Sequence, residues 1–228
     1  MSDLKSPSEN DNILSAPVHR RSFFKFIGVS AVGLALTGES CKISQVNGTS
    51  TLGDGDFSIL NYAYALEQME AAFYTKVTEN FYAGASELEK DFLTDIRNDE
   101  IAHREWFREV LFLKKLHKLE FDFSSVNFND RMSVLQTAKT MEDTGVSAYN
   151  GAGKLLKFRP FLKQAGKIVS VEARHAATLR DLISFGDFAG DDVINSQGLD
   201  QAKTPQEVLS ATSKYFKTKV DGSHLRTS

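Results

Sequence analysis

Glu172-Ala173-Arg174-His175 places a carboxylate and an imidazole three residues apart, in a stretch whose apolar residues recur at helical spacing. Residues three apart leave the same face of a helix. The seam around the pair is Phe161, Ala165, Ile168, Glu172, His175, Leu179 and Leu182, in alternating steps of four and three. That rhythm is the core stripe of a bundle helix. Two ionisable groups therefore occupy core positions, and a carboxylate moved into a core requires a partner, of which a metal ion is one. The pattern occurs a second time upstream, at Glu100 and His103, within the seam Phe92, Ile96, Glu100, His103, Phe107 and Val110.

Each of these stretches follows another helical segment. The first domain helix is expected from about Phe57 to Phe81, with Asp56 as its N-cap. Ser86-Glu87-Leu88-Glu89 has the pattern of a capping box and opens a second helix reaching about Leu116. Its outer face, with Lys90, Arg97, Arg104 and Arg108, is a solvated one. The helical period is lost between Glu120 and Asn129. A third helix then runs to about Gly151, and Pro160 opens a fourth that ends near Phe185-Gly186. Residues 187–203 are loop-like, and Thr204-Pro205-Gln206-Glu207 starts a short helix to about Phe216. The remainder, Lys217 to Ser228, is expected to fray. The fold class is all-α: an antiparallel four-helix bundle with one long crossover between helices 2 and 3, plus a short C-terminal helix.

The two hairpins repeat each other. Glu67 is followed seven residues later by Tyr74, and then by Glu100-x-x-His103. Glu142 is followed seven residues later by Tyr149, and then by Glu172-x-x-His175. A pseudo-two-fold would bring Glu67, Glu100, His103, Glu142, Glu172 and His175 to one point, which is the ligand set of a dinuclear carboxylate centre. Bridging carboxylates hold two divalent ions close and neutralise them. One imidazole per ion among oxygen donors suits iron, with manganese as the alternative. Tyr74 and Tyr149, two helical turns from their glutamates, could each hydrogen-bond a ligand carboxylate from another helix. Singly, each reads first as a core residue with a satisfied hydroxyl. Glu70 competes with Glu67, since it too lies among apolar residues. Glu67 is preferred because only it reproduces the seven-residue step to tyrosine, and Glu70 is an alternate or additional ligand. Trp106 reads as packing, His117 as surface, and His19 and His224 as tail residues.

Composition narrows the chemistry. A net charge of -3 leaves no basic excess for phosphates and argues against nucleic acid as a partner. Cys41 is the only cysteine, so an intramolecular disulfide and a cysteine-based zinc site are ruled out. Before the bundle, Arg20-Arg21-Ser22-Phe23-Phe24-Lys25 precedes an apolar run from Phe26 to Leu36, too short to span a bilayer as a mature helix. It resembles a twin-arginine export signal, which implies a prokaryotic protein exported already folded, to the periplasm or cell envelope. Membrane attachment through this N-terminal segment fits the same reading. Cys41 could carry a lipid, although Glu39 and the lack of a Leu three positions before it count against a lipoprotein box. A processed or uncleaved signal is the alternative. The expected organisation is 1–41 N-terminus and signal, 42–55 tether, 56–186 bundle, and 187–228 C-terminal extension.

At Leu66-Glu67-Gln68-Met69-Glu70-Ala71-Ala72-Phe73-Tyr74, Glu100-Ile101-Ala102-His103, Glu142-Asp143-Thr144-Gly145-Val146-Ser147-Ala148-Tyr149 and Val171-Glu172-Ala173-Arg174-His175-Ala176-Ala177 the chain resembles the ferritin-like superfamily. It is most similar there to bacterial ferritin-like-domain proteins linked to desiccation-related ones. The resemblance implies a two-metal centre in the bundle, and fold alone does not fix the reaction. Paired cysteine motifs of a rubredoxin-like domain are missing from the sequence. Two functions share this architecture. One is an oxidoreductase or metal-handling protein acting with oxygen or peroxide. The other is a non-enzymatic stress protein in which metal only stabilises the fold.

Overall fold

The computed structural model describes residues 45, 46 and 49–226. The arginine pair, the apolar run and Cys41 lie outside the described residues. Four long helices make the body: α1 (Gly55–Glu79), α2 (Glu87–Leu111), α3 (Arg131–Gly153) and α4 (Arg159–Ile183). A short helix follows, α5 (Pro205–Thr212). α1 packs along α2, and α3 along α4, as two antiparallel hairpins. None of these helices is long and apolar enough to cross a membrane.

Local chemistry sets the helix ends. Ser86 and Glu89 close the expected capping box on α2: the Ser86 N–H donates to Glu89 Oε2 at 2.8 Å, and the Glu89 N–H donates to Ser86 Oγ at 3.2 Å. Thr204 and Glu207 do the same for α5. The expected cap of α1 is corrected. Its N-cap is Asp54, and Asp56 lies in the first turn. The Asp56 carboxylate instead accepts the Lys157 and Phe158 N–H groups at 3.0 and 2.7 Å, joining the start of α1 to the turn before α4. α2 also stops earlier than its periodicity suggests. Phe112 adopts φ 47°, a left-handed conformation that a bulky residue rarely takes, and this breaks the helix.

After Phe112 the crossover runs back along α1. Two polar side chains on that helix hold it. Fully buried Asn61 donates from Nδ2 to the carbonyls of Leu52 and Lys114 (3.1 and 2.7 Å), and its Oδ1 accepts the Leu116 N–H at 2.9 Å. Two turns further along the same face, Gln68 Oε1 accepts the Leu119 N–H at 3.0 Å. Phe123 and Phe128 then pack on Phe73. At the far end Arg131 bonds Glu89 of α2 and the Leu182 carbonyl of α4. This covering strand of chain is why α1 is buried on nearly every side.

Two expectations about the ends need correction. Part of the segment expected as a tether forms strands β1 (Gln45–Val46) and β2 (Thr49–Thr51), and part of the tail expected to fray forms β3 (Lys219–Asp221). β2 pairs antiparallel with β1 and parallel with β3, with Ser50 opposite Val220. Pairings between residues so far apart leave no local periodicity to read. The C-terminal extension is tied down as well. A Cβ on Gly151 would lie 1.7 Å from the Lys203 carbonyl oxygen, so only glycine lets the chain before α5 approach α3. The buried Arg180 guanidinium bonds both oxygens of Asp143 and both of Asp192, fastening the 187–200 loop to α3 and α4.

Asn61→Leu removes the partners of two carbonyls and one N–H without changing side-chain volume much. An unmade buried hydrogen bond costs about 1–3 kcal/mol, so denaturant unfolding should show a stability loss of roughly 3 kcal/mol. An unchanged midpoint would contradict this account of the crossover.

Candidate metal centre

The six side chains singled out by the repeat converge midway along the bundle. α1 supplies Glu67, α2 Glu100 and His103, α3 Glu142, and α4 Glu172 and His175. All four carboxylates are fully buried. Their donor atoms form two groups: Glu67, Glu100, His103 and Glu172, and Glu100, Glu142, Glu172 and His175, with the ligand atoms of each group within 4.8 Å of one another. Glu100 and Glu172 belong to both. The distances repeat across the pseudo-two-fold. His103 Nδ1 lies 3.0 Å from Glu172 Oε1, 3.4 Å from Glu67 Oε2 and 3.5 Å from Glu100 Oε2. His175 Nδ1 lies 2.9 Å from Glu100 Oε1 and 3.3 Å from Glu142 Oε2. The two oxygens of Glu100 are thus shared between the two imidazoles.

These atoms are close but not aligned as hydrogen bonds. Both oxygens of Glu100 and of Glu172, Oε2 of Glu67 and of Glu142, and Nδ1 of both histidines are buried without a hydrogen-bond partner. Buried polar atoms are nearly always paired, so eight orphans at one point ask for an explanation. Lone pairs from oxygen and imidazole nitrogen that face a common centre fit two divalent cations of the iron or manganese type. The remaining oxygens of the outer glutamates are held. Tyr74 Oη of α1 donates to Glu142 Oε1 of α3 at 2.5 Å, and Tyr149 Oη of α3 donates to Glu67 Oε1 of α1. Each hairpin's tyrosine therefore orients the other's glutamate.

Two further residues break the symmetry: Asp99, which sequence reasoning missed, and Glu70, expected as an alternate or additional ligand. Asp99 Oδ2 lies 3.4 Å from His175 Nε2. In the other hairpin the residue preceding the Glu-x-x-His glutamate is Val171, which can make no such contact. The signal was legible as an acid directly before Glu100. The second is Glu70, a fifth buried carboxylate. Neither group of donors includes it. Its place in the repeat is taken in α3 by Gly145, and a Cβ there would sit 3.3 Å from Glu70 Oε1 and 3.4 Å from Glu172 Oε2. The absent side chain makes room for the extra carboxylate.

A profile described as a ferritin-like domain matches residues 55–184, the whole of α1 to α4 and all six converging side chains. The chain belongs to the ferritin-like family. No curated protein matches it in sequence. Ferritin-like membership agrees with two hairpins joined by a crossover and with side chains from four helices meeting at the centre.

The electrostatics describe the centre without metal. Burial lifts Glu67 to about 7, against the pull of His103. Burial first, then the neighbouring carboxylates, raise Glu70 and Glu172 well above the ordinary range. Glu100 goes the other way, because His103 and His175 outweigh its burial and hold it low. Both imidazoles resist burial through their carboxylate neighbours and are raised.

A group raised in the folded state contributes stability below its unfolded value and loses it as pH climbs through its folded one. Glu67 loses its contribution between its ordinary 4.5 and about 7. Glu70 and Glu172 lose theirs above 4.5, and the histidines lose theirs above 6.5. Glu100 alone acts oppositely, losing its contribution as pH falls below 4.5. Chelator-treated protein should therefore melt at a higher temperature near pH 5 than near pH 8. A melting temperature that rises over this interval would count against the buried cluster.

Proposed function

We propose that this is an exported ferritin-like protein whose bundle holds a dinuclear iron or manganese centre and works on oxygen or peroxide, as an oxidoreductase or in metal handling. The observation that carries the reading is the sharing of Glu100 and Glu172 between two four-donor groups. Export rests on the N-terminal sequence, Arg20-Arg21 before Phe23, Lys25 and the apolar run.

In this reading Glu100 and Glu172, members of both donor groups, would serve both ions, while Glu67 with His103 and Glu142 with His175 would each complete one ion's set. Bound there, two redox-active ions would supply the electrons and the Lewis acidity for a reaction with oxygen or peroxide. The chain's own part is positional. Tyr149 and Tyr74 fix one oxygen of Glu67 and Glu142 and so point the other inward. Asp99 beside His175 Nε2 favours the proton on that nitrogen, leaving Nδ1 to face the centre as a donor. Burial among apolar residues excludes water and keeps the carboxylates from being solvated in place of metal.

Elemental analysis of natively exported protein should find two iron or manganese ions per chain, one for each donor group. Glu67→Ala should lower occupancy more than Glu70→Ala, since only Glu67 is among the converging donors. A metal-free native protein that cannot be loaded, or a larger loss for Glu70→Ala, would overturn the assignment. An optical change of the loaded protein on adding oxygen or peroxide separates turnover from a purely structural role for the metal.

A further inference from the structure

The end of the bundle where α1 and α4 begin and α2 and α3 finish differs in character from the rest of the protein. Residues 111–118 and 154–167 form much of it. Together they contain eight Lys or Arg and no Asp or Glu, in a chain whose net charge is -3. Within the same two segments Leu113 is 79% exposed, Phe112 59%, Leu162 43% and Phe158 39%. Single exposed apolar residues are ordinary. Four at one end, set among lysines, are not.

The two segments meet across the start of α1. Lys114 Nζ sits 4.4 Å above the Phe57 ring, Phe57 packs edge-on against Phe161 at 6.2 Å, and Phe161 against Phe158 at 4.9 Å. Asp56 binds the turn before α4 through the Lys157 and Phe158 N–H groups. Phe112 is the only non-glycine among the described residues with positive φ. A strained backbone holding a large apolar side chain out in water is an observation that points to use.

We propose that this end docks on an anionic lipid surface. Exposed phenylalanine and leucine enter the boundary between headgroups and acyl chains, and the surrounding lysines pair with lipid phosphates, a combination characteristic of interfacial binding. Charge argues against a second copy as occupant. A two-fold contact would set eight cationic side chains against their own equivalents.

The test is vesicle flotation of the full chain, with phosphatidylcholine alone and with phosphatidylglycerol added. Two variants keep the fold, because the altered side chains are exposed: Leu113→Ser with Leu162→Ser, and Lys154→Glu with Lys157→Glu and Lys163→Glu. Wild type should float with the anionic vesicles far more than with the neutral ones, and salt should weaken it. The triple reversal removes three positive charges and adds three negative ones, so it should lower partitioning by more than about a hundredfold. The serine pair should lower it without changing its salt dependence. Equal binding to both vesicle types, or anionic binding that neither variant reduces, would overturn the proposal by placing the contact in the N-terminal segment. Vesicle binding that is absent while a dimer dissolves in the same variants would assign the face to a second copy instead.

Discussion

Four carboxylates meet in the middle of an apolar bundle with two imidazoles between them, and a fifth carboxylate stands beside them. Ionised carboxylates cannot be buried without compensation. Two imidazolium groups offset half the charge of Glu67, Glu100, Glu142 and Glu172. Two divalent cations offset all of it and leave the imidazoles neutral, as donors must be. Glu70 stands outside both donor groups, and without metal its burial and the neighbouring carboxylates raise it well above the ordinary carboxylate range. The packing of the helices depends on how this charge is settled, because every helix of the bundle contributes a member of the cluster.

The same requirement shapes the links between the hairpins. α1 packs mainly on α2, and α3 mainly on α4. What joins α1 to α3 at the centre is the exchange of tyrosines: Tyr74 reaches Glu142, and Tyr149 reaches Glu67. Each bond satisfies one oxygen of a buried carboxylate and locks its orientation. Away from the centre the hairpins are fastened by other polar hubs. Asn61 and Gln68 hold the crossover to α1, and Arg180 holds the C-terminal loop to α3 and α4. A buried polar group with its partners in place, as Asn61 has, rigidifies a structure more than its net energy suggests.

Much of this was legible in the chain. The seams show where helices bury their faces, the caps at Ser86 and Thr204 mark two helix starts, and the doubled spacing from Glu to Tyr to Glu-x-x-His places the six converging residues. These are local or periodic signals. What escaped is long-range. Pairing of Thr49–Thr51 with Lys219–Asp221 joins the two ends of the described chain through short strands with no alternating pattern. The role of Asp56 depends on a turn a hundred residues away, so its sequence context suggested only a cap. The early end of α2 follows from the backbone at Phe112, where apolar periodicity continues unbroken. Gly145 looks like a weak point in a helix until the Glu70 carboxylate is seen beside it.

The central claim is that metal replaces repulsion in the core. Protein stripped by chelation and reloaded with Fe(II) or Mn(II) should show a higher melting temperature than the stripped form, by mass action on the folded state. With both His103 and His175 changed to Ala the fold should survive on its apolar seams, and the metal-dependent increment should largely vanish. An identical melting temperature before and after verified reloading would contradict the account and leave a helical bundle whose buried acids serve no metal.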